Sequence, residues 1–259
     1  MSDALRLLSR RSLIECLSLA SASASCANTS ALATRGRAAR PAVRAVAFDL
    51  FTLFDPRRVA VACEAHFPSR GAEVAARWRA RQFEYAFVHQ AAEHYRDFRS
   101  ITAAALEHTL ASSGLELDRA SREALVAVYE QLELWPDTRG SLASLRARGL
   151  RLAPLANYTP RMLEALLDRS QLRGAFDQLL STDRARALKP SPRAYQLAVD
   201  AFGLARNEIA FAAFGPWDAA GAAWFGFRTF WMNRLGIVGD LFGAEHATGR
   251  NFADFDAWL

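Results

Sequence analysis

One short stretch decides the fold of this chain, and it reads Val43-Arg44-Ala45-Val46-Ala47-Phe48-Asp49. The run from Val43 to Phe48 is mainly apolar and lacks the alternation of polar and apolar positions that a half-exposed strand would show. Such a run is typical of a short strand that is buried on both faces of a parallel sheet. Because the run ends at Asp49, an acid is predicted at the carboxyl end of this strand.

The second half of the chain repeats this pattern and alternates it with helical segments. Strands are predicted at residues 152–156, 178–181, 209–214 and 228–232, and helices at residues 138–149, 160–171, 192–203 and 218–225. Strands and helices that alternate at this spacing form a parallel sheet with helices on both sides. We therefore predict an α/β fold with a Rossmann-like parallel sheet as its core.

Residues 57–134 interrupt this alternation directly after the first strand. They contain no strand-like run, and their apolar residues recur at helical spacing, as Phe83 and Phe87 do. We predict that this segment is an inserted helical cap over the carboxyl edge of the sheet, where open parallel sheets bind their ligands. The predicted division of the chain is a core domain of residues 43–56 and 135–259 with a cap domain of residues 57–134.

The first residues of the chain resemble an export signal. Ser9-Arg10-Arg11-Ser12-Leu13-Ile14 is similar to a twin-arginine motif, and an apolar run and a series of small residues follow it. The apolar run is too short to span a bilayer. We predict a signal peptide at residues 1–30, a linker at residues 31–42, and a periplasmic mature protein without a membrane span. The alternative is an uncleaved extension on a cytoplasmic protein.

Composition and charge exclude several classes of protein. With 259 residues, 51% of them hydrophobic, the chain is long and apolar enough to fold around a core. Three cysteines are too few for a disulfide framework in a chain of this length. The net charge of +5 comes from residues 1–44, and the rest of the chain is neutral overall. A nucleic-acid partner is therefore not expected, because the body of the protein has no excess of positive charge for a phosphate backbone.

Lysine is used once in this sequence. The chain has 32 lysines and arginines together, and the only lysine among them is Lys189. Chance in an arginine-rich composition is one explanation. The other is a site that needs a compact ammonium group on a flexible stem, which a planar guanidinium cannot replace.

Polar side chains stand where the predicted strands end. Asp49, Asn157, Lys189 and Asp218 each follow an apolar run. The carboxyl ends of parallel strands meet at one edge of the sheet, where a catalytic group of residues would lie. A single aspartate in such a place is also common as a helix cap or turn residue. Four polar ends, one of them the single lysine, favour a site.

Several motifs occur in order along the chain. They are Ala47-Phe48-Asp49-Leu50-Phe51-Thr52-Leu53-Phe54-Asp55, Trp78-Arg79-Ala80-Arg81-Gln82-Phe83-Glu84-Tyr85, Lys189-Pro190 with Tyr195, Trp217-Asp218-Ala219-Ala220-Gly221-Ala222, and Phe225-Gly226-Phe227 with Trp231-Met232-Asn233-Arg234. In these motifs the sequence resembles the haloacid dehalogenase superfamily and, within it, the L-2-haloacid dehalogenases. The resemblance extends from Val43 to Leu259.

The resemblance implies a hydrolase that acts on short (S)-2-haloacids through an aspartyl ester and releases 2-hydroxy acids. Asp49 would attack the substrate carbon and expel halide, and Asp218 would hold Lys189 and orient the water that hydrolyses the ester. The implied catalytic residues are Asp49, Lys189, Asp218 and Tyr195, and the implied substrate-binding and halide-binding residues are Arg79, Asn157, Phe98, Trp217, Phe51 and Thr52. The resemblance implies no cofactor and no metal ion, and it suggests a homodimer.

The sequence departs from the family pattern near the predicted site. The nucleophile loop is one residue short at Phe51-Thr52, Ala156 stands where a serine is expected, and Ala213 and Gly215 replace a serine and an asparagine. Such losses are costly where a catalytic network acts as a unit. Two interpretations stay open, namely a diverged dehalogenase and a homologue without hydrolysis that acts as a binding or scaffold protein.

Metal-dependent phosphoryl transfer is a weaker interpretation of the same motifs. Phosphatases of the superfamily generally place a second aspartate two residues after the nucleophile, and this chain has Phe51 there. Magnesium needs several oxygen ligands, and Asp49 with Asp218 alone would supply few. The five histidines show no zinc-binding pair.

Overall fold

The computed structural model describes residues 42–239, 242–244 and 246–259. The predicted signal peptide lies outside the described residues, as does the predicted linker except for Ala42. The three described ranges belong to one compact unit. The division into a core domain and a cap domain therefore stays a prediction.

A six-stranded sheet forms the core, and its neighbouring strands are all parallel. The strands of the described chain are β1 (Ala45–Phe48), β2 (Phe54–Asp55), β3 (Glu133–Leu134), β4 (Arg151–Ala156), β5 (Leu180–Ser181), β6 (Ile209–Ala213), β7 (Arg228–Met232) and β8 (Ala247–Gly249). The order across the sheet is β5-β4-β1-β6-β7-β8. β1 lies inside it, with Ala47 opposite Ala153 of β4 and Phe211 of β6. The predicted Rossmann-like parallel sheet is confirmed.

Helices flank this sheet and build the segment after β2. Those in the described chain are α1 (Leu50–Leu53), α2 (Arg58–His66), α3 (Gly71–Ala91), α4 (Phe98–Ser112), α5 (Arg119–Ala127), α6 (Thr138–Ala147), α7 (Pro160–Arg169), α8 (Pro192–Phe202), α9 (Pro216–Phe225) and α10 (Phe252–Trp258). The side chains of Asp97, Asp118 and Thr159 each accept a hydrogen bond from the backbone N–H three residues later. They satisfy donors that the first turn of a helix leaves free. No helix in the described ranges is long and apolar enough to cross a membrane.

The predicted strands and helices of the core are all present, with ends that differ by at most two residues. α9 begins at Pro216 rather than at residue 218, because proline fits the first position of a helix and needs no hydrogen-bond partner there. β8 and α10 were not predicted. They lie near the end of the chain and complete one edge of the sheet and the layer beside it.

The segment at residues 57–134 is helical as predicted, except at its end. β3 lies there, and Leu134 pairs with Phe54 of β2 in an antiparallel ribbon. The prediction that this segment contains no strand is therefore wrong in this detail, because a two-residue strand is too short to show periodicity. The ribbon joins the start and the end of the segment, so helices α2 to α5 leave and rejoin the sheet at one place.

Buried polar contacts fix α3 against α4. The indole Nε1 of Trp78 donates to the backbone oxygen of Thr102 at 2.9 Å. Nε2 of Gln82 donates to the side-chain Oγ1 of the same threonine at 2.7 Å. Both donors are buried, and paired donors avoid the cost of an unsatisfied polar group. These contacts determine where α3 presents Arg79, the neighbour of Trp78.

Aromatic packing fixes β1 from one face of the sheet. The ring of Phe48 lies 6.1 to 6.4 Å from the ring centres of Phe176, Phe252 and Phe255. Phe48 is fully buried, and tilted aromatic pairs of this kind add to the gain from burial. Because Asp49 directly follows Phe48, this packing also anchors the end of the strand that carries the acid.

We predict that Phe48→Ala lowers the free energy of unfolding by about 3–5 kcal/mol, since it removes a buried ring that its neighbours cannot fully replace. Urea denaturation followed by circular dichroism measures the change. Phe242→Ala is the matched control, because Phe242 is 47% exposed. The control should cost less than about 1 kcal/mol, and an equally small loss for Phe48→Ala would contradict the role given to its ring.

Candidate active site

Three strand ends and one connecting segment bring polar side chains together at the carboxyl edge of the sheet. Asp49 follows β1, Asn157 follows β4, and Asp218 lies in the first turn of α9 after β6. Lys189 lies between β5 and α8 and makes hydrogen bonds to all three. The four residues predicted from the strand ends therefore meet at one place.

The ammonium group of Lys189 lies at the centre of this cluster. Its Nζ donates to Oδ1 of Asp49 and to Oδ2 of Asp218, each at 2.7 Å. The side chain is 1% exposed, and Nζ lies 5.3 Å from the ring centre of Phe211. A buried charge is strongly unfavourable unless it is paired. Here two carboxylates provide the pairing.

Burial and mutual charge shift the pKa values in the cluster. Burial alone would lower the pKa of Lys189, but the charges of Asp218 and Asp49 outweigh it and raise this pKa above its ordinary value. Burial raises the pKa of Asp218 to about 6, opposed by the positive charge of Lys189 and reinforced by the negative charge of Asp49. Near neutral pH, Lys189 is therefore a constant cation, whereas Asp218 titrates below neutrality.

Tyr195, on α8, contacts the cluster through Asp218. Its hydroxyl donates to Oδ1 of Asp218 at 2.6 Å and lies 3.3 Å from the backbone oxygen of that residue. Burial and the charge of Asp218 raise the pKa of Tyr195 well above its ordinary value, so the hydroxyl stays protonated and can donate. Neither Asp218 nor Tyr195 lines the cavity beside Asp49. Their link to Asp49 runs through Lys189.

Asp49 directly precedes the first residue of α1 and faces the cavity. Its Oδ2 accepts a hydrogen bond from the backbone N–H of Phe51 at 3.2 Å, so the carboxylate caps the helix. Its side chain is 17% exposed. The carboxylate is thus held on one side by Lys189 and on the other by the helix, while one part of it remains open to a small molecule.

The structure differs from the prediction at Thr52. Its hydroxyl donates to the backbone oxygen of Asp49 at 2.6 Å, and the residue is fully buried. A hydroxyl within a helix readily bonds to a carbonyl of the preceding turn, and this local bond turns it away from the cavity. Thr52 therefore supports the backbone of Asp49 and is not one of the cavity-lining residues.

Asn157 is oriented by two hydrogen bonds to its side-chain oxygen. Oδ1 accepts from the backbone N–H of Lys189 at 2.9 Å and from Oγ1 of Thr182 at 3.1 Å. Since both contacts use the oxygen, the amide N–H donors of Asn157 are left for a molecule in the cavity. The same contacts tie the segment that carries Lys189 to the end of β4.

A small cavity opens beside Asp49. Its lining residues are Asp49, Leu50, Phe51, Arg79, Phe83, Phe98, Ala156, Asn157, Tyr158, Lys189, Phe214, Gly215 and Trp217. The volume open to the centre of a water-sized sphere is about 30 Å³. A single water molecule needs roughly 10–15 Å³ by this measure, so the cavity accepts only a small molecule. Its walls are mainly apolar, with a few polar groups at defined places.

Arg79 faces this cavity from α3. Its guanidinium carbon lies 5.0 Å from the ring centre of Phe83 and 5.9 Å from those of Phe51 and Phe214. Burial lowers its pKa, although electrostatic interaction with Tyr129 and Asp49 opposes this, and a guanidinium remains charged in proteins. Across the part of the chain that the structure describes, Arg79 makes no ion pair. Its positive charge is therefore available to an anion in the cavity.

Aromatic rings form the remaining walls. Phe98, the first residue of α4, stacks on Tyr158 with 5.5 Å between ring centres. Trp217 lies edge-on to Phe83 at 5.4 Å and to Phe87 at 5.5 Å. Phe98 and Trp217 thus line the cavity together with Phe83 of α3.

Gly215 explains one departure from the family pattern. A Cβ atom placed on Gly215 would lie 2.7 Å from the indole Nε1 of Trp217. The indole therefore occupies space that any side chain at this position would need. An asparagine could not stand at position 215 unless Trp217 moved.

Two positioning residues were missed by the sequence analysis. Oε1 of Gln90, near the end of α3, accepts a hydrogen bond from the backbone N–H of Leu188 at 2.7 Å. Thr182 holds the oxygen of Asn157, as described above. Both residues act on the backbone or side chain next to Lys189. Neither belongs to a motif or to an apolar pattern, so no signal in the sequence pointed to them.

Comparison with known proteins agrees with this geometry. Residues 43–226 match the family model described as haloacid dehalogenase-like hydrolase. The chain belongs to this family of hydrolases. It is 39% identical over 202 residues to haloacetate dehalogenase H-2 of Moraxella sp. strain B, a match that covers 78% of this chain and 90% of the relative. It is 41% identical over 197 residues to the (S)-2-haloacid dehalogenase of Pseudomonas sp. strain YL, covering 76% and 85%.

Solved structures of the family have the same fold. A crystal structure of an L-2-haloacid dehalogenase superposes with a TM-score of 0.82 at 37% identity, covering 84% of this chain and 99% of the other. The Xanthobacter autotrophicus L-2-haloacid dehalogenase with covalently bound chloropropionic acid superposes with a TM-score of 0.76 at 31% identity, covering 83% and 97%. The family predicted from the sequence motifs is confirmed.

We predict that Lys189→Arg lowers hydrolase activity by several orders of magnitude. A guanidinium is too large and too planar to place one nitrogen between Asp49 and Asp218 at the present distances. Initial rates measured with the wild-type and variant proteins test this, with circular dichroism to show that the variant is folded. A folded variant with nearly wild-type rates would remove Lys189 from the mechanism.

Proposed function

We propose that the protein is an (S)-2-haloacid dehalogenase that converts short 2-haloacids into 2-hydroxy acids of inverted configuration. One observation carries the proposal. Asp49 faces a small cavity while its carboxylate is held by the buried ammonium of Lys189 at 2.7 Å. A carboxylate that is fixed and partly removed from water in this way can act as a nucleophile.

The first step of the proposed reaction forms an ester. An oxygen of Asp49 attacks the carbon that bears the halogen, the new carbon–oxygen bond forms, and the carbon–halogen bond breaks. The halide leaves with the bonding electrons. Negative charge thus grows on the halogen, and Arg79 with the amide N–H groups of Asn157 would stabilise it in an apolar surrounding where such contacts are strong.

The second step releases the product. Water attacks the carboxyl carbon of the ester on Asp49, and the bond between that carbon and the product oxygen breaks. Of the two protons of the water, one ends on the hydroxyl group of the product and the other is taken up by a base and released to solvent, while Asp49 regains its carboxylate with one oxygen from water. Asp218 does not line the cavity but is joined to Asp49 through Lys189. Its pKa of about 6 lets it be ionised and still accept a proton, which makes it the candidate for the base.

The size and the walls of the cavity favour a short substrate. Its volume of about 30 Å³, open to the centre of a water-sized sphere, favours a short molecule over a long chain. Phe98, Trp217 and Phe51 would surround the apolar part of such a molecule. With Ala156 in place of a serine, the substrate carboxylate would be held by backbone N–H groups of the turn at Asn157.

A second candidate is a homologue that forms the ester and hydrolyses it slowly or not at all. The observation in its favour is the state of Asp218, whose two oxygens are engaged by Lys189 and Tyr195. In addition, Ala156 and Gly215 line the cavity without polar side chains that could hold a water molecule. Such a protein would act in binding rather than in turnover.

Localisation and assembly are further parts of the proposal. We propose export to the periplasm, supported by the twin-arginine pattern around Arg10 and Arg11. We also propose a homodimer, supported by the family resemblance. Fractionation of cells that express the full chain tests the first, and the mass of the purified protein in solution tests the second.

We predict that incubation with L-2-chloropropionate releases chloride and leaves a transient ester on Asp49. Chloride release and peptide mass spectrometry measure the two steps separately. Asp49→Asn should abolish both, because an amide is a far weaker nucleophile than a carboxylate. The matched control is Asp168→Asn, since the Asp168 side chain is 59% exposed and should not affect either step.

The outcomes distinguish the two candidates. Ester with continued chloride release supports the dehalogenase. Ester that persists after one equivalent of chloride supports the homologue with impaired hydrolysis. Neither ester nor chloride, with either enantiomer of the substrate, would overturn both.

We predict that turnover falls as the pH drops through about 6, the pKa of Asp218. Protonation of Asp218 removes one of the two negative charges that pair with Lys189 and also removes the base of the hydrolysis step. Because burial raises the pKa of Asp218, activity should be lost at a higher pH than it would be with an aspartate of ordinary pKa. The pH dependence of kcat in the wild type and in Asp218→Asn measures this, and the variant should be slow and lack this acidic limb.

A further inference from the structure

The single-turn helix α1 directly follows the nucleophile, and its end has an unusual set of partners. A helix leaves its last carbonyl groups without partners inside the helix, and a four-residue helix has little else to stabilise it. Here the carbonyl groups of Phe51, Thr52 and Leu53 all accept hydrogen bonds from residues far away in the sequence. The nucleophile loop is therefore held from outside.

Three side chains provide these donors. The indole Nε1 of Trp135 donates to the oxygen of Phe51 at 3.0 Å, Nε of Arg234 donates to that of Thr52 at 2.9 Å, and Oγ1 of Thr138 donates to that of Leu53 at 2.8 Å. The carbonyl of Leu53 has a second donor, the backbone N–H of Trp135 at 3.0 Å. The carbonyl of Thr52 has Arg234 as its donor among the contacts of the described chain.

Arg234 is itself fixed in one orientation. Its Nη1 and Nη2 lie 3.1 and 3.0 Å from the two carboxylate oxygens of Asp137. Its guanidinium carbon lies 5.0 Å from the ring centre of Trp135 and 5.1 Å from that of Phe252. The side chain is 5% exposed. A buried cation held by a carboxylate and two rings is a rigid support for a hydrogen bond.

Arg234 also matches the electrostatics of α1. Cations are favourable at the carboxyl end of a helix and anions at its amino end. α1 has Arg234 at its carboxyl end and the carboxylate of Asp49 at its amino end, where the N–H of Phe51 donates to Oδ2. A displacement of the Thr52 carbonyl would therefore move the N–H of Phe51, which orients the carboxylate of Asp49.

We propose that Arg234 is a positioning residue for the nucleophile, which holds α1 in place and thereby sets the direction of the Asp49 carboxylate. The inference rests on the proposed function, since it assigns a role in the attack by Asp49. Arg234 does not line the cavity and so does not touch the substrate. Its effect reaches Asp49 through the backbone of the nucleophile loop.

The test compares Arg234→Met with Thr138→Val. Arg234→Met leaves the carbonyl of Thr52 without its donor, whereas Thr138→Val leaves that of Leu53 with the N–H of Trp135. We expect Arg234→Met to lower kcat roughly 10- to 100-fold, as small misplacements of a reacting group do, with KM changed less than about twofold because the cavity is intact. Thr138→Val should lower kcat to a smaller extent.

Two readouts separate positioning from plain stability. In single-turnover experiments with L-2-chloropropionate, the ester on Asp49 should form roughly 10- to 100-fold more slowly in Arg234→Met. Hydrogen exchange of the backbone amides of residues 50–54 should be faster in this variant. Arg119→Met is the control for the loss of an arginine, since its side chain is 88% exposed. The control should leave both readouts unchanged.

The possible outcomes decide whether Arg234 positions the nucleophile. Wild-type ester formation and wild-type exchange in a folded Arg234→Met protein would overturn it, even if the protein were less stable. If the wild type releases no halide and forms no ester, the proposed function fails, and hydrogen exchange at residues 50–54 alone decides whether Arg234 holds the loop. If Arg234→Met does not fold, Arg234→Lys is tested in the same way. Its single ammonium cannot reproduce the three separate contacts that Nε, Nη1 and Nη2 of Arg234 make with Thr52 and Asp137, so kcat should again fall.

Discussion

The buried ion cluster around Lys189 is the interaction on which the rest of the site depends. An ammonium that is almost completely removed from water needs negative partners, and Asp49 and Asp218 both lie within 2.7 Å of it. The surrounding polar contacts serve this arrangement. Asn157 and Gln90 hold the backbone before the ammonium, while Tyr195 donates to the second carboxylate. The fold thus uses one buried cation to fix the orientation of the carboxylate of Asp49.

Much of the site could be predicted from the sequence, because the carboxyl ends of parallel strands lie together even when the strands are far apart in the chain. Short apolar runs that alternate with helices place their carboxyl ends at one edge, so Asp49, Asn157 and Asp218 were expected together. Lys189 was identified in another way, as the one lysine in an arginine-rich chain. Arg79 is different, since several arginines on α3 look alike in the sequence and the family motif was needed to choose among them.

The remaining features depend on contacts between distant residues that have no periodicity. Thr52 was predicted to face the substrate, but a local bond to the carbonyl of Asp49 directs its hydroxyl elsewhere. Thr182 and Gln90 are isolated polar residues whose partners are determined only when α3 and β5 are packed. The antiparallel ribbon of β2 and β3 was not predicted, because each strand is only two residues long and the two pair across a wide separation in sequence. Sequence thus predicts the positions of elements better than the orientation of individual polar groups.

The close contact between Gly215 and Trp217 has a consequence for how this protein can change. A single replacement that restored the family's asparagine at Gly215 would collide with the indole, because only 2.7 Å separates Nε1 from the position of the new Cβ atom. Asparagine would be tolerated only if the indole of Trp217 moved away from this position. The two positions are therefore epistatic. Restoring the asparagine of the family pattern therefore requires a new position of the indole as well as the replacement of the glycine.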